Sequence, residues 1–228
     1  MLGGVCTRGC RFCAVSRGTP QPPDSEEPMR IARAASLMNL ENVIVTSVTR
    51  DDLRDGGAHA FAETVRALKR LENPPVVEVL VPDFGGDLES LAVVLAAGPE
   101  IISHNVETVR RLYATVRKGA DYDRSLFLLS ESKLIRPGVI TKSSLILGLG
   151  ETTEEVLEAF RDLRRSSVDC LTVGQYMRPG IGQIRVRSYI PPERFDWFRE
   201  EALAMGFRDV AAGPLVRSSY QEVRLGLQ

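Results

Sequence analysis

The chain has 228 residues, 43% of them hydrophobic, with 29 basic side chains against 30 acidic ones and a formal charge of −1. That length builds one sizeable core and seldom two, so a single domain over residues 1–228 is expected. The near-neutral balance gives no field to draw nucleic acid or an anionic membrane surface. No apolar run approaches the ~20 residues of a bilayer span, and the first residues lack a signal peptide's pattern, so a cytoplasmic protein with neither partner is expected.

In chain order, the first feature is a crowd of cysteines: Cys6, Cys10 and Cys13 stand close together near Met1, and Cys170 is the remaining one. Residues 19–28 follow with four prolines and few apolar side chains, which fits a loop and neither a helix interior nor a central strand. A helix is predicted next, with Ile31, Ala34, Ala35 and Met38 as its buried face. Short β-branched and aliphatic runs then recur at 42–48, 76–81, 100–106, 143–147, 170–174 and 209–212, with helical patterns between them. Among those helices, Val156, Phe160 and Leu163 mark one buried face, and Phe195, Phe198, Ala202 and Met205 another. Thr152 with Glu155 reads as a capping box, and Gly206 as a helix stop. Strands alternating with helices predict an α/β fold with a parallel sheet: an open or partial (β/α)6 barrel, with functional residues at the C-terminal ends of its strands. No linker or low-complexity tract interrupts it.

Cys6-Thr7-Arg8-Gly9-Cys10-Arg11-Phe12-Cys13 lets one short loop wrap three corners of a cubane iron–sulfur cluster and leave the fourth iron open to a ligand. The alternative is a zinc site completed by Cys170 or His104, which would make the protein a non-catalytic metal-binding fold. The spacing, with an aromatic before the third cysteine, resembles the radical S-adenosylmethionine (SAM) superfamily, whose partial (β/α) barrel agrees with the strand and helix pattern. That resemblance implies a [4Fe–4S] cluster on Cys6, Cys10 and Cys13 that holds SAM and reduces its sulfonium to release a deoxyadenosyl radical.

Further segments are similar to lipoyl synthase: Thr46-Ser47-Val48-Thr49-Arg50-Asp51-Asp52-Leu53, Asp55-Gly56-Gly57-Ala58, His104-Asn105-Val106-Glu107-Thr108, Gly148-Leu149-Gly150-Glu151, Val173-Gly174-Gln175-Tyr176 and Gly213-Pro214-Leu215-Val216-Arg217-Ser218-Ser219-Tyr220. Thr46 and Ser47, at a strand end, are candidates to meet the methionyl group of SAM, against ordinary strand-end capping. Asn105 and Glu107 are candidates for the ribose hydroxyls, against Glu107 as a helix-start residue. Gly148, with Gly150, lets backbone approach an adenine ring or merely turns the chain, and Phe12 packs near the adenine or keeps water from the cluster. Gln175 joins the cofactor-binding set through its motif. His104 reads as structural and His59 as a surface residue, while Lys142, Arg124 and Arg178 are candidates to pair with carboxylates in the site, against ordinary solvated side chains, and stay outside the chosen set.

The resemblance implies a radical SAM sulfurtransferase that inserts two sulfurs at carbons 6 and 8 of a protein-bound octanoyl group, consuming two SAM molecules. Another radical SAM reaction is the alternative enzyme class. The implied partners are octanoylated lipoyl carrier domains (of 2-oxoacid dehydrogenase E2 or the glycine cleavage H protein), an electron donor such as ferredoxin or flavodoxin, and an iron–sulfur carrier. The family also carries an auxiliary [4Fe–4S] cluster, held by three cysteines of an N-terminal extension and by a serine, here Ser219, and consumed as the sulfur source. This chain has the serine motif without those cysteines. Residues 1–5 would then be the remnant of a first barrel strand in a truncated chain; the other explanation is a complete protein that does not insert sulfur by itself. Gln221-Glu222 also depart from the small residue the family places there.

Overall fold

A computed structural model describes residues 1–220; Gln221-Glu222 lie outside the described residues. Two short strands, β1 (Val5–Cys6) and β2 (Ser16–Arg17), pair in parallel and pinch off the cysteine loop between them. After α1 (Glu27–Leu37) come β3 (Asn42–Thr46), α2 (Ala58–Lys69), β4 (Val76–Leu80), α3 (Leu88–Ala96) and β5 (Ile101–Ser103). The chain continues through α4 (Tyr113–Val116), α5 (Tyr122–Ile135), β6 (Ile140–Leu147), α6 (Thr153–Arg165), β7 (Cys170–Gln175), α7 (Pro192–Ala204) and β8 (Asp209–Gly213).

Strands β3 to β8 form one six-stranded parallel sheet in chain order, with each pair in register, as Val79 opposite Ile102 and Leu145 opposite Val173. The first and last strands are not paired with each other among the described residues, so the barrel is open, as the alternating pattern predicts. All six predicted runs are strands. The predicted strand at 100–106 ends at Ser103 because Glu107 takes a left-handed φ of 64° and rejoins β6 only through a single bridge to Leu145. Residues 1–4 form no strand, and Val5–Cys6 pairs with Ser16–Arg17. The Met1 amino group donates to the Thr46 carbonyl at 2.6 Å, and Met1 packs against the hydrophobic cluster over β3–β5.

The helix-covered face of the sheet is buried in two clusters: one over β3–β5 gathers Phe61, Leu68, Leu91, Val94 and Ile102; the other, over β6–β8, gathers Leu145, Phe160, Leu163, Val173 and Phe195. Each such side chain contributes about 1.5–3 kcal/mol on burial. The faces predicted for α6 and α7 are the buried ones, with Met205 partly buried, and Gly206, at φ 91°, follows the end of α7. Thr152 and Glu155 form the reciprocal capping box. In α1 the expected face is rotated: Pro28, Ala32 and Ala35 are buried, while Met38 is 67% exposed. Ala35 belongs to both faces; Ala32, rather than Met38, completes the buried one, and these small residues allow close approach to α2. Pro28 belongs to the first turn of that helix, where its missing N–H costs nothing. No helix among the described residues is long and apolar enough to cross a membrane.

Inside the barrel, Lys142 on β6 donates to Glu78 on β4 at 2.9 and 3.0 Å, and Ser103 on β5 donates to the same carboxylate at 2.5 Å. Of the two readings of Lys142, carboxylate partner or solvated side chain, the structure shows the first, at 1% exposure. A charge at that depth persists only because it is paired and hydrogen-bonded.

Candidate cluster and cofactor site

The cysteine loop is stapled to the C-terminal rim of the sheet by its own intervening residues. Thr7 Oγ1 donates to the Thr49 carbonyl at 3.0 Å and accepts from the Asp51 amide at 3.1 Å. Arg8 forks between Asp51, at 2.6 and 2.8 Å, and Asp83, at 2.7 and 3.0 Å. Asp83 is fully buried just beyond β4 and also accepts from Arg124 Nε at 2.9 Å. Burial opposes both charges, yet the pairing outweighs it: Arg8 is raised above the usual guanidinium range, and Asp83 is held below the usual carboxylate range by Arg8. On the other side, Arg11 donates its amide to the Val116 carbonyl at 2.8 Å and accepts from the Ile184 amide at 2.9 Å.

All three cysteines are half-buried and free, and they face a cavity of about 430 Å³. Burial pushes the Cys10 thiol up to about 11, with the Arg117 cation opposing, and raises Cys13 likewise. Thiols that resist ionisation this way become thiolates when a metal displaces the proton. Backbone amides of Arg8 and Val15 already lie 3.4 Å from the sulfurs of Cys6 and Cys13 and would steady that charge.

The same cavity is walled by Phe12, Thr46, Ser47, Asn105, Glu107 and Arg117. Thr46 ends β3, with Ser47 directly after it, and Asn105 and Glu107 follow β5, so the predicted strand-end placement is observed. Asn105 Nδ2 donates to Glu107 Oε1 at 3.1 Å and to Ser218 Oγ at 3.0 Å. Burial raises Glu107, with Arg117 and Asn105 pulling it back. Its left-handed backbone, held by the Ser144 carbonyl and the Ile146 amide at 2.9 and 2.8 Å, is the kind of strain that sites retain. Two buried oxygens on this wall, Ser47 Oγ and Asn105 Oδ1, have no partner within the protein. Orphans of this kind call for a ligand, and a polar cofactor with hydroxyl, amino and carboxylate groups supplies one.

A second cavity of about 410 Å³ adjoins the first, sharing Phe12, Cys13, Asn105 and Glu107, and is closed by Gln175, Arg217 and Ser219. Ser219 is exposed there. Gln175 is committed to the protein itself: Nε2 donates to the carbonyls of Leu147, Tyr176 and Ser188 at 3.0–3.1 Å, and Oε1 accepts from the Ile190 amide at 2.9 Å. Gly148 lines neither cavity. At φ 100°, a Cβ there would strike Gln175 Nε2 and the Ser188 carbonyl. Cys170 opens β7 at the opposite end of the sheet, and burial pushes its thiol up to about 12. His104 donates through Nδ1 to the Val81 carbonyl at 2.8 Å and has Ser125 Oγ 3.1 Å from Nε2. Neither is placed to complete a zinc site. Among the described residues, no group of three or more His, Cys, Asp or Glu side chains converges on a single ion. Arg8, Asp51, Asp83 and Arg117 were not singled out from sequence. Arg8, set between two cysteines, was the available signal, and Arg124, a candidate to pair with a carboxylate, does so with Asp83 in the same network.

The sequence profile of the radical SAM superfamily matches residues 1–163. The chain is 54% identical over 220 residues to the lipoyl synthase of Caldanaerobacter subterraneus, covering 96% of this chain and 77% of that protein. It is 52% identical over 230 residues to that of Thermus thermophilus, covering 100% and 71%. The chain belongs to the lipoyl synthase family. As a radical SAM protein it takes a [4Fe–4S] cluster and SAM as cofactors. Among solved structures, methylornithine synthase matches with a TM-score of 0.66 at 14% identity, over 98% of this chain and 75% of that one. SuiB from Streptococcus suis bound to S-adenosylmethionine matches with 0.69 at 12%, over 92% and 48%. At such identities these structures bear on the fold alone, and they confirm the barrel type for this lipoyl synthase family member.

Proposed function

We propose that this chain is the radical SAM core of a lipoyl synthase, a sulfurtransferase that places two sulfurs at carbons 6 and 8 of an octanoyl group carried on a lipoyl domain. The observation that carries this reading is the single wall on which the three thiols, the orphaned Ser47 and Asn105 oxygens and the Glu107 carboxylate meet. When bound, the cluster and SAM supply a one-electron cleavage that yields a hydrogen-abstracting radical.

The protein's part is binding, aiming and exclusion. Cys6, Cys10 and Cys13 would hold the cluster, and the Arg8–Asp83 pair keeps their loop rigid. Thr46 and Ser47 receive the methionyl end of SAM, Asn105 and Glu107 its ribose hydroxyls, and Phe12 shields the reacting face from water. Gly148 and Gln175 act from behind, fixing the chain at residues 188–190 against the end of the sheet. The octanoyl chain enters the second cavity, beside Ser219, which would be the serine ligand of an auxiliary cluster; the three thiolates such a cluster needs are not among this chain's cysteines, so this chain does not assemble it by itself. The partners are the octanoylated carrier domains of 2-oxoacid dehydrogenases and of glycine cleavage, a ferredoxin or flavodoxin, and an iron–sulfur carrier, all in the cytoplasm.

The test places deuterium at carbons 6 and 8 of the octanoyl group on a carrier domain and measures label in the deoxyadenosine formed by the reconstituted chain. Label in the product supports the reading regardless of sulfur insertion. Abundant deoxyadenosine without label contradicts it.

A further inference from the structure

The segment between β7 and α7, residues 176–191, has no regular secondary structure. That exceeds the roughly 12–15 residues beyond which irregular loops are usually functional or disordered. This one is tied down along its inner edge. Tyr176 Oη donates to the Ile184 carbonyl at 2.8 Å, the Ile184 and Arg187 amides donate to the carbonyls of Arg11 and Gly148 at 2.9 and 2.8 Å, and Gln175 grips Ser188 and Ile190.

Its outer edge is a different surface. No acidic residue occurs from Leu171 to Pro192, while Arg178, Arg185 and Arg187 are all exposed, with exposed Arg11 of the cysteine loop alongside. None of these four arginines forms an ion pair among the described residues, in a chain where Arg8, Arg50, Arg110, Arg111 and Arg124 do. Glu151, near Arg187 in the fold, has its carboxylate taken by the Gly148 and Leu149 amides. Apolar side chains stand among the arginines: Ile181, 94% exposed on a tip flanked by glycines, and Tyr189, 75% exposed. Met177 and Pro179 carry the same segment into the wall of the second cavity. A chain of net charge −1 has thus gathered unpaired cations and exposed apolar groups at the mouth of one pocket.

We propose that the outer edge of residues 176–191 is the docking platform for the octanoyl-bearing carrier domain, that the face it receives is acidic, and that Ile181 is the apolar anchor. This rests on the proposed lipoyl synthase reading. Exposed arginines and a central aliphatic or aromatic group are the composition of a protein-recognition patch, and unpaired like charges steer a partner of opposite sign. The second cavity opens beside the platform, so a domain seated there delivers its acylated lysine arm inward.

The experiment measures binding to the reconstituted chain, by fluorescence anisotropy, of a labelled octanoylated carrier domain and of a labelled tripeptide with a central octanoyl-lysine. It compares wild type with the triple variant Arg178→Glu, Arg185→Glu, Arg187→Glu, whose SAM affinity and circular dichroism are recorded as controls for folding. The expected result is at least about a tenfold loss of carrier affinity in the variant, with tripeptide and SAM affinities unchanged. Wild-type carrier binding should weaken as salt rises from about 50 to 300 mM, since the Debye length shortens over that range. Ile181→Ala should weaken the carrier alone as well. Equal carrier binding by wild type and triple variant overturns the platform while leaving the lipoyl synthase reading intact. Failure of wild type to bind either octanoyl probe overturns both. Preferential binding of a single-stranded oligonucleotide or an anionic vesicle over the carrier also overturns the platform.

Discussion

Asn105 donates to Ser218 Oγ at 3.0 Å across 113 residues of sequence, joining the rim of β5 to the serine motif at the end of the described chain. The same amide donates to Glu107 Oε1 at 3.1 Å, so one side chain uses both its N–H groups as a bridge while its oxygen stays without a protein partner. Lys142 reinforces the junction from inside the barrel by donating to the Ser218 carbonyl at 2.9 Å. The orientation of the partnerless Asn105 oxygen at the cavity wall therefore depends on a serine far away in sequence.

Ser218→Ala should weaken SAM binding to the reconstituted chain by about three- to tenfold, the value of one hydrogen bond of about 1 kcal/mol. Asn105→Ala should weaken it further, and the double variant should add little beyond Asn105→Ala because both act through one amide. Equilibrium dialysis with labelled SAM measures this. Fully additive losses would show that the two side chains act separately.

Asp83→Ala removes the buried partner of Arg8, and removing one member of such a pair costs about 3–5 kcal/mol. The Arg8 side chain is only 9% exposed, so little solvent screening relieves the loss. Denaturant unfolding should show the drop, and the variant should retain less iron after reconstitution. Arg8→Ala should do the same, because the two groups form one unit. Unchanged stability in both variants would remove the rigid-loop argument.

Much of this was legible in advance, for reasons that particular residues make plain. The strands announced themselves because buried parallel strands are continuous β-branched runs, as in Val76-Val77-Glu78-Val79. The cysteine loop was legible because ligand spacing is local. Arg8 pairing with Asp83 was not, since nothing in a separation of 75 positions says that the two will meet. Lys142 reads as a candidate partner for a carboxylate, but that the carboxylate is Glu78 appears only once the fold brings β4 near β6. In the face of α1, Ala35 is buried as expected while Ala32 takes the place of Met38, a choice of small side chains that hydrophobicity does not report. Gly148 and Gln175 belong to recognisable motifs, yet their contacts with Ser188 appear only once the loop is folded back.

Acid should destabilise the fold through His104. Burial, helped by the neighbouring Arg117 cation and opposed by the Val81 carbonyl, lowers its pKa to about 3, against about 6.5 when unfolded. The unfolded chain then binds a proton that the native one refuses, so this contribution to stability is complete above about pH 6.5 and declines as pH falls toward 3, by up to about 1.4 kcal/mol per pH unit. Urea unfolding between pH 7 and 4.5 should show a shallower decline in His104→Gln than in wild type. A parallel decline in the two proteins would show that other groups set the acid limit.

Gly148→Ala should be costly out of proportion to one methyl group. The residue sits at φ 100°, and the added Cβ meets the Gln175 amide and the Ser188 carbonyl. A loss of more than about 1 kcal/mol is expected, together with faster hydrogen exchange at Ile190, whose amide relies on Gln175. Retained protection at Ile190 would show that the loop is held without this contact.

The most direct test of the account is the electron paramagnetic resonance spectrum of the anaerobically reconstituted, reduced chain, recorded with and without SAM. The account predicts a brown protein with about four irons on this loop, a [4Fe–4S] signal that changes when SAM is added, and loss of that signal in Cys10→Ala. A colourless protein carrying stoichiometric zinc, or a cluster signal indifferent to SAM, would contradict it.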